Sequence, residues 1–264
     1  MKTVAEKIET IRQEGYSLDF GSVFNQTFEN YKKIALQCGL AILISLVFLG
    51  IIGFALLFSL VGFNDFNADM SAFEIKNFTV LETLAYMSGT ILFSALACPF
   101  TAGLIKMAQD AAKQQEVSLN TAFSFYNHAS FKELFFATVI ISFFTSALQI
   151  GFEFVEFQSV GVIITLCVTF STFLYIPLIS IGKLKAVEAI KGSMIITSKQ
   201  IFILLGLFIV SILFVSLGFI ACCIGVVFTI PFINSLYYCL YNDIIGDEKE
   251  DEDETEYYAM TVEE

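Results

Sequence analysis

Two ladders of hydroxyl groups carry most of the chemistry this 264-residue sequence offers. Thr138, Ser142, Thr145 and Gln149 recur at i, i+4, i+7 and i+11, so on a helix they share one face. Thr165, Thr169 and Thr172 recur in the same way over two turns. Hydroxyls at this spacing have two uses inside a membrane. They let helices approach closely and hydrogen-bond across the contact, or they line a conduit for a neutral or amphipathic solute. These seven residues are the candidate cavity lining. Shorter stripes of small residues, Ser94-Cys98-Ala102 and Ala95-Pro99-Gly103, repeat at i, i+4.

Other chemistry is sparse. No H-E-x-x-H, G-x-S-x-G, Walker loop or G-x-G-x-x-G occurs. His128 is the lone histidine, which rules out a metal centre built on several imidazoles; beside Asn127 and Ser130 it reads as a surface residue. Glu153 and Glu156 share a face at i, i+3 and read as a solvated turn. The six cysteines lie in apolar runs without C-x-x-C spacing and read as reduced packing residues. No catalytic residue, metal site or cofactor is expected.

The ladders belong to charge-free runs. The chain is 56% hydrophobic, with 30 Phe and a mean hydropathy of +0.76. Its apolar residues are gathered into runs of about twenty, the length that crosses roughly 30 Å of hydrocarbon. Four runs are legible at 34–60, 84–105, 134–151 and 160–182. The uncharged stretch 200–242 is too long for one crossing and reads as a hairpin, 201–217 and 222–241, turning at Gly218 and Gly225. No Asp, Glu, Lys, Arg or His lies near the middle of any run, which argues against ion- or proton-coupled transport.

Thirteen of the fourteen Lys and Arg fall in the N-terminal segment, alternate connections and the tail; Lys76 stands alone on the other side. This asymmetry places both termini in the cytoplasm. No apolar segment precedes residue 34, so no signal peptide is expected. Net charge is −12, most of it from ten acids and one Lys in residues 247–264. The organisation is then a cytoplasmic amphipathic N-terminal segment at 1–33, a six-helix transmembrane domain at 34–245 and an acidic disordered tail at 246–264.

Each hairpin has an amphipathic lead-in: SLDFGSVFNQTFENYKK, SLNTAFSFYNHASFKEL and KAVEAIKGSMIITSKQ. Phe24, Phe28 and Tyr31 share a face in the first. The return helices carry the only three prolines, Pro99, Pro177 and Pro231, as helix kinks. Such kinks serve as a hinge or cavity, or as fixed bends that splay the cytoplasmic ends.

The segments SLNTAFSF, KAVEAIKGS and GVVFTIPFINSLYYCLYNDI resemble a loose group of uncharacterised bacterial six-helix membrane proteins. That group is similar to the membrane domain found beside some glycerophosphodiester phosphodiesterases. The resemblance spans most of residues 17–245 and implies a location and a helix count, not an activity.

The sequence therefore leads to an all-α polytopic bundle of three hairpins with interfacial helices, in a bacterial inner membrane. The first functional expectation is a non-enzymatic scaffold or accessory component, with membrane lipids and another membrane protein as partners and no nucleic acid. The alternative is a facilitator or carrier for a neutral or amphipathic solute or lipid. A polar cavity reaching mid-membrane favours the carrier; a bundle filled with Phe favours the scaffold.

Overall fold

A computed structural model describes residues 3–61, 79–220 and 224–246. The first outer loop with Asp65, Asp69, Glu74 and Lys76, the pair Cys222-Cys223, and the acidic tail lie outside the described residues. Among the described residues all regular structure is helical.

Helix α1 (Val4–Glu14) starts with a capping box: Glu6 N–H donates to Thr3 Oγ1 at 3.3 Å, and Thr3 N–H donates to Glu6 Oε2 at 2.9 Å. It stops at Gly15, whose φ of +76° suits glycine. Val4, Ile8 and Ile11 recur at helical spacing and are buried. Helix α2 (Phe20–Val61) is one unbroken helix of 42 residues. The lead-in and the first crossing are thus fused rather than separate, and no proline interrupts Phe20–Val61. At 1.5 Å per residue it is about 63 Å long, about twice the hydrocarbon thickness.

Helix α3 (Val80–Ala112) also opens on a capping box, Thr79 with Glu82, and contains Pro99 without a break. The second lead-in is a short 3-10 helix, Leu119–Tyr126. It lies so close to α3 that a Cβ on Gly103 would sit 2.1 Å from the Ala122 carbonyl oxygen. Helices α4 (Phe131–Phe154) and α5 (Gln158–Thr172) form a hairpin.

The chain then breaks ahead of Pro177 and resumes as α6 (Tyr175–Ser180). The third lead-in is α7 (Ala186–Lys199), separated from α8 (Ile201–Ile220) at Gln200. Its N-terminus is capped from α4, where Glu133 Oε2 accepts the Ala186 N–H at 2.8 Å. The last run is not one helix: α9 (Ile224–Thr229) ends before Pro231, which opens α10 (Pro231–Ile244). Gly218 lies inside α8 and lets α9 fold back, since a Cβ there would meet Val226 N at 2.6 Å.

Helix α10 runs through the core against α2 and α3, burying Phe232, Leu236, Leu240 and Tyr241. Helix α1 closes the same end by packing on α7, and Lys7 Nζ donates to Ile245 O at 2.8 Å beyond the end of α10. Among the described residues five helical segments are long and apolar enough to cross a membrane: Phe20–Ala55, Val80–Ala112, Phe131–Phe154, Gln158–Ser180 and Ile201–Phe219. Their outer faces expose large apolar side chains such as Ile51, Phe144 and Phe202, an arrangement suited to lipid rather than water. These helices suit a membrane protein; of the sixth expected crossing, 222–241, residues 222 and 223 lie outside the described residues, and Pro231 divides the rest into α9 and α10.

Candidate functional site

The α5–α6 break and the α4–α5 hairpin surround a cavity of about 260 Å³. Ser94, Ala97, Cys98 and Thr101 line it from α3, Thr138, Ile141 and Ser142 from α4, and Thr169 and Thr172 from α5. Phe173 and Ile176 border the α5–α6 break, Tyr175 enters from α6, and Tyr237 from α10. Helix α4 packs against both α3 and α5, whereas α3 and α5 stand largely apart. The cavity opens in that gap, with Ala97 and Thr169 exposed at its rim.

The α5–α6 break is what admits Tyr175, and side chains of α7 hold it. Ser193 Oγ accepts the Leu174 N–H at 3.1 Å and donates to Ser171 O at 3.1 Å. Thr197 Oγ1 reaches the same carbonyl at 3.4 Å. Proline removes a donor and interrupts the helical ladder, and in a membrane the loosened backbone must find partners within the protein. Here two hydroxyls supply them.

The direction of each hydrogen bond follows from counting protons. Thr138 Oγ1 lies 2.8 Å from Leu134 O and donates to it. A threonine has a single hydroxyl proton, so at 3.0 Å the Tyr175 hydroxyl is the donor and Thr138 the acceptor. Cys98 Sγ, 3.6 Å from the same phenolic oxygen, then donates its weak S–H. Ser94 and Thr172 direct their protons to Thr90 O and Val168 O in their own helices, at 2.8 and 2.9 Å. The hydroxyls of Ser142, Thr169 and Tyr237 have no partner among the described residues. The lining therefore offers three free donors, and the oxygens of Ser94 and Thr172, whose protons are committed, can still accept. No Asp, Glu, Lys, Arg or His is part of it.

Of the candidate lining, Thr138, Ser142, Thr169 and Thr172 border this cavity. Gln149 borders a smaller one of about 90 Å³ farther along α3 and α4, with Tyr86, Thr90 and Ser146. Thr145 and Thr165 line neither; Thr145 Oγ1 is bonded to Ile141 O at 3.0 Å. Pro99 is buried in α3, one residue from Cys98, while Pro177 and Pro231 mark helix starts. Tyr175 and Tyr237 belong to the site without being part of either hydroxyl ladder. Tyr175 just precedes Pro177 and Tyr237 follows Pro231 on α10, and the proline breaks are what turn both phenols inward.

Aromatic rings cluster among α2, α8 and α10. Phe24, Phe28 and Tyr31 of α2 meet Phe214 of α8 and Phe232 of α10, with Phe214 and Phe232 stacked at 4.4 Å between ring centroids. His128 makes a local contact, its Nδ1 accepting the Ser130 N–H at 3.1 Å. Glu153 accepts from Gln158 at 3.4 Å. Among the described residues no group of three His, Cys, Asp or Glu could hold a metal ion. No family model, curated protein or solved structure matches this chain.

Proposed function

We propose that this chain is a non-enzymatic multi-pass protein of a bacterial inner membrane, both ends cytoplasmic, that holds an uncharged amphipathic solute or lipid between α3, α4 and α5. The single observation that carries this reading is the hydroxyl-lined, charge-free cavity open between α3 and α5. Pockets that bind small molecules pair apolar walls with a few placed polar groups, and this lining has that character. Its place about 10–17 Å along α4 from Phe131 puts it inside the hydrocarbon. A charged ligand there would lack a counter-charge. The kinship with the membrane domain beside glycerophosphodiester phosphodiesterases is part of the same proposal and adds no activity.

A scaffold or accessory role for another membrane protein is the second reading. It is favoured by the aromatic packing among α2, α8 and α10.

The chain has no Trp, so Ala97→Trp at the rim creates a sole reporter. Titration with an uncharged amphiphile is expected to shift its emission saturably, while an anionic analogue with the same tail does not. Emission indifferent to both would contradict the binding reading.

A further inference from the structure

We propose that the cavity takes the polar end of an uncharged diacyl lipid of the diacylglycerol class, its acyl chains leaving through the gap between α3 and α5. This rests on the cavity being a binding site and names what occupies it.

Size sets the first limit. A volume of about 260 Å³ accommodates roughly nine water-sized groups at about 30 Å³ each, which matches a glycerol backbone with its two ester carbonyls. It excludes a large oligosaccharide head.

Charge sets the second. A phosphate needs Arg, Lys or a substantial helix N-terminus, and the lining supplies no cationic side chain. Phosphate buried at this depth would be left without its counter-charge.

Proton direction sets the third. Ser142, Thr169 and Tyr237 each carry a hydroxyl without a partner among the described residues, and they can donate to ester and glycerol oxygens. Tyr175 has its proton committed to Thr138, and its oxygen takes the Cys98 S–H. Three available donors suit a ligand rich in acceptors, and the oxygens of Ser94 and Thr172, whose protons are committed to their own helices, can take its single free hydroxyl.

The mouth sets the fourth. Phe93 and Leu96 on α3 and Leu166 on α5 are exposed beside the rim residues Ala97 and Thr169. Acyl chains emerging there stay on apolar surface and in lipid.

The test is photolabelling of the full-length chain in phosphatidylcholine vesicles, with a diacylglycerol bearing a diazirine near the ester end of one acyl chain. Label is expected on the α3 and α5 segments around Ala97 and Thr169. Excess dioleoylglycerol should suppress it, and dioleoylphosphatidate should not. Ser142→Ala and Thr169→Val are each expected to reduce specific labelling about fivefold, the effect of one lost hydrogen bond. Thr145→Val, one turn away and off the cavity, should leave it unchanged. Equal competition by phosphatidate, or labelling indifferent to both substitutions, would overturn the assignment. If octyl glucoside competes and dioleoylglycerol does not, the lipid class is wrong and the cavity reading survives. If no probe places label there and the Ala97→Trp reporter is silent, both fall.

Discussion

At the scale of single residues, one proton decides the polarity of the cavity floor. Thr138 gives its proton to Leu134 O, so Tyr175 must give its own to Thr138. Thr138→Val removes the acceptor and leaves a buried phenol without its partner. The expected loss is about 1–2 kcal/mol, read as a lowered unfolding temperature in detergent; Thr138→Ser should retain most of the stability. Tyr16 acts outside the membrane. Its hydroxyl donates to Ile196 O at 3.0 Å, and Gln200 Nε2 donates to Tyr16 O at 2.7 Å, so this residue ties the α1–α2 connection to the α7–α8 junction. Burial raises the Tyr16 phenol above its ordinary value. The unfolded chain therefore ionises first as pH rises, and the stability contributed by Tyr16 is complete below the ordinary phenol value and is lost as pH climbs through the raised folded value. Wild type is expected to lose stability above about pH 10 more steeply than Tyr16→Phe in a pH series of thermal melts; parallel curves would contradict this.

At the scale of elements, crossings and lead-ins differ in how much their sequences disclose. The long apolar runs are legible because hydrocarbon thickness sets their length; the runs beginning near 34, 84, 134 and 201 each fall within one helix, and the run from 160 passes through α5, the break and α6. The lead-ins share an amphipathic pattern yet take three forms: the first continues into α2, the second is a 3-10 helix and the third is the separate α7. The pattern marks a face and does not encode what that face docks against. Gly103 shows the docking at its tightest. Gly103→Ala would drive a methyl into the Ala122 backbone, and a loss of about 2 kcal/mol is expected from such overpacking. Thermal unfolding should register it, together with faster proteolysis near Ala122. Site legibility follows the same division. Thr138, Ser142, Thr169 and Thr172 could be read from spacing within their own helices, whereas Tyr175 and Tyr237 reach the cavity through breaks at Pro177 and Pro231 that bring distant segments together.

At the scale of the whole molecule, an aromatic cluster and a hydroxyl-lined cavity share α10. The cluster joins α2, α8 and α10 through aromatic rings, and the cavity lies where α3 and α5 stand apart around hydroxyls, with Tyr237 of α10 in its lining. The proposed orientation sets both ends on one side, so a cytoplasm-dependent reporter fused before α1 should be active, and so should one fused after Gly246. Opposite responses would require an odd number of crossings. The most direct measurement of the central claim is native mass spectrometry of the chain released from its own membranes. A retained uncharged adduct is expected on wild type and should be absent from Thr169→Phe, which fills the rim of the cavity. Wild type released bare, or identical adducts on both chains, would contradict it.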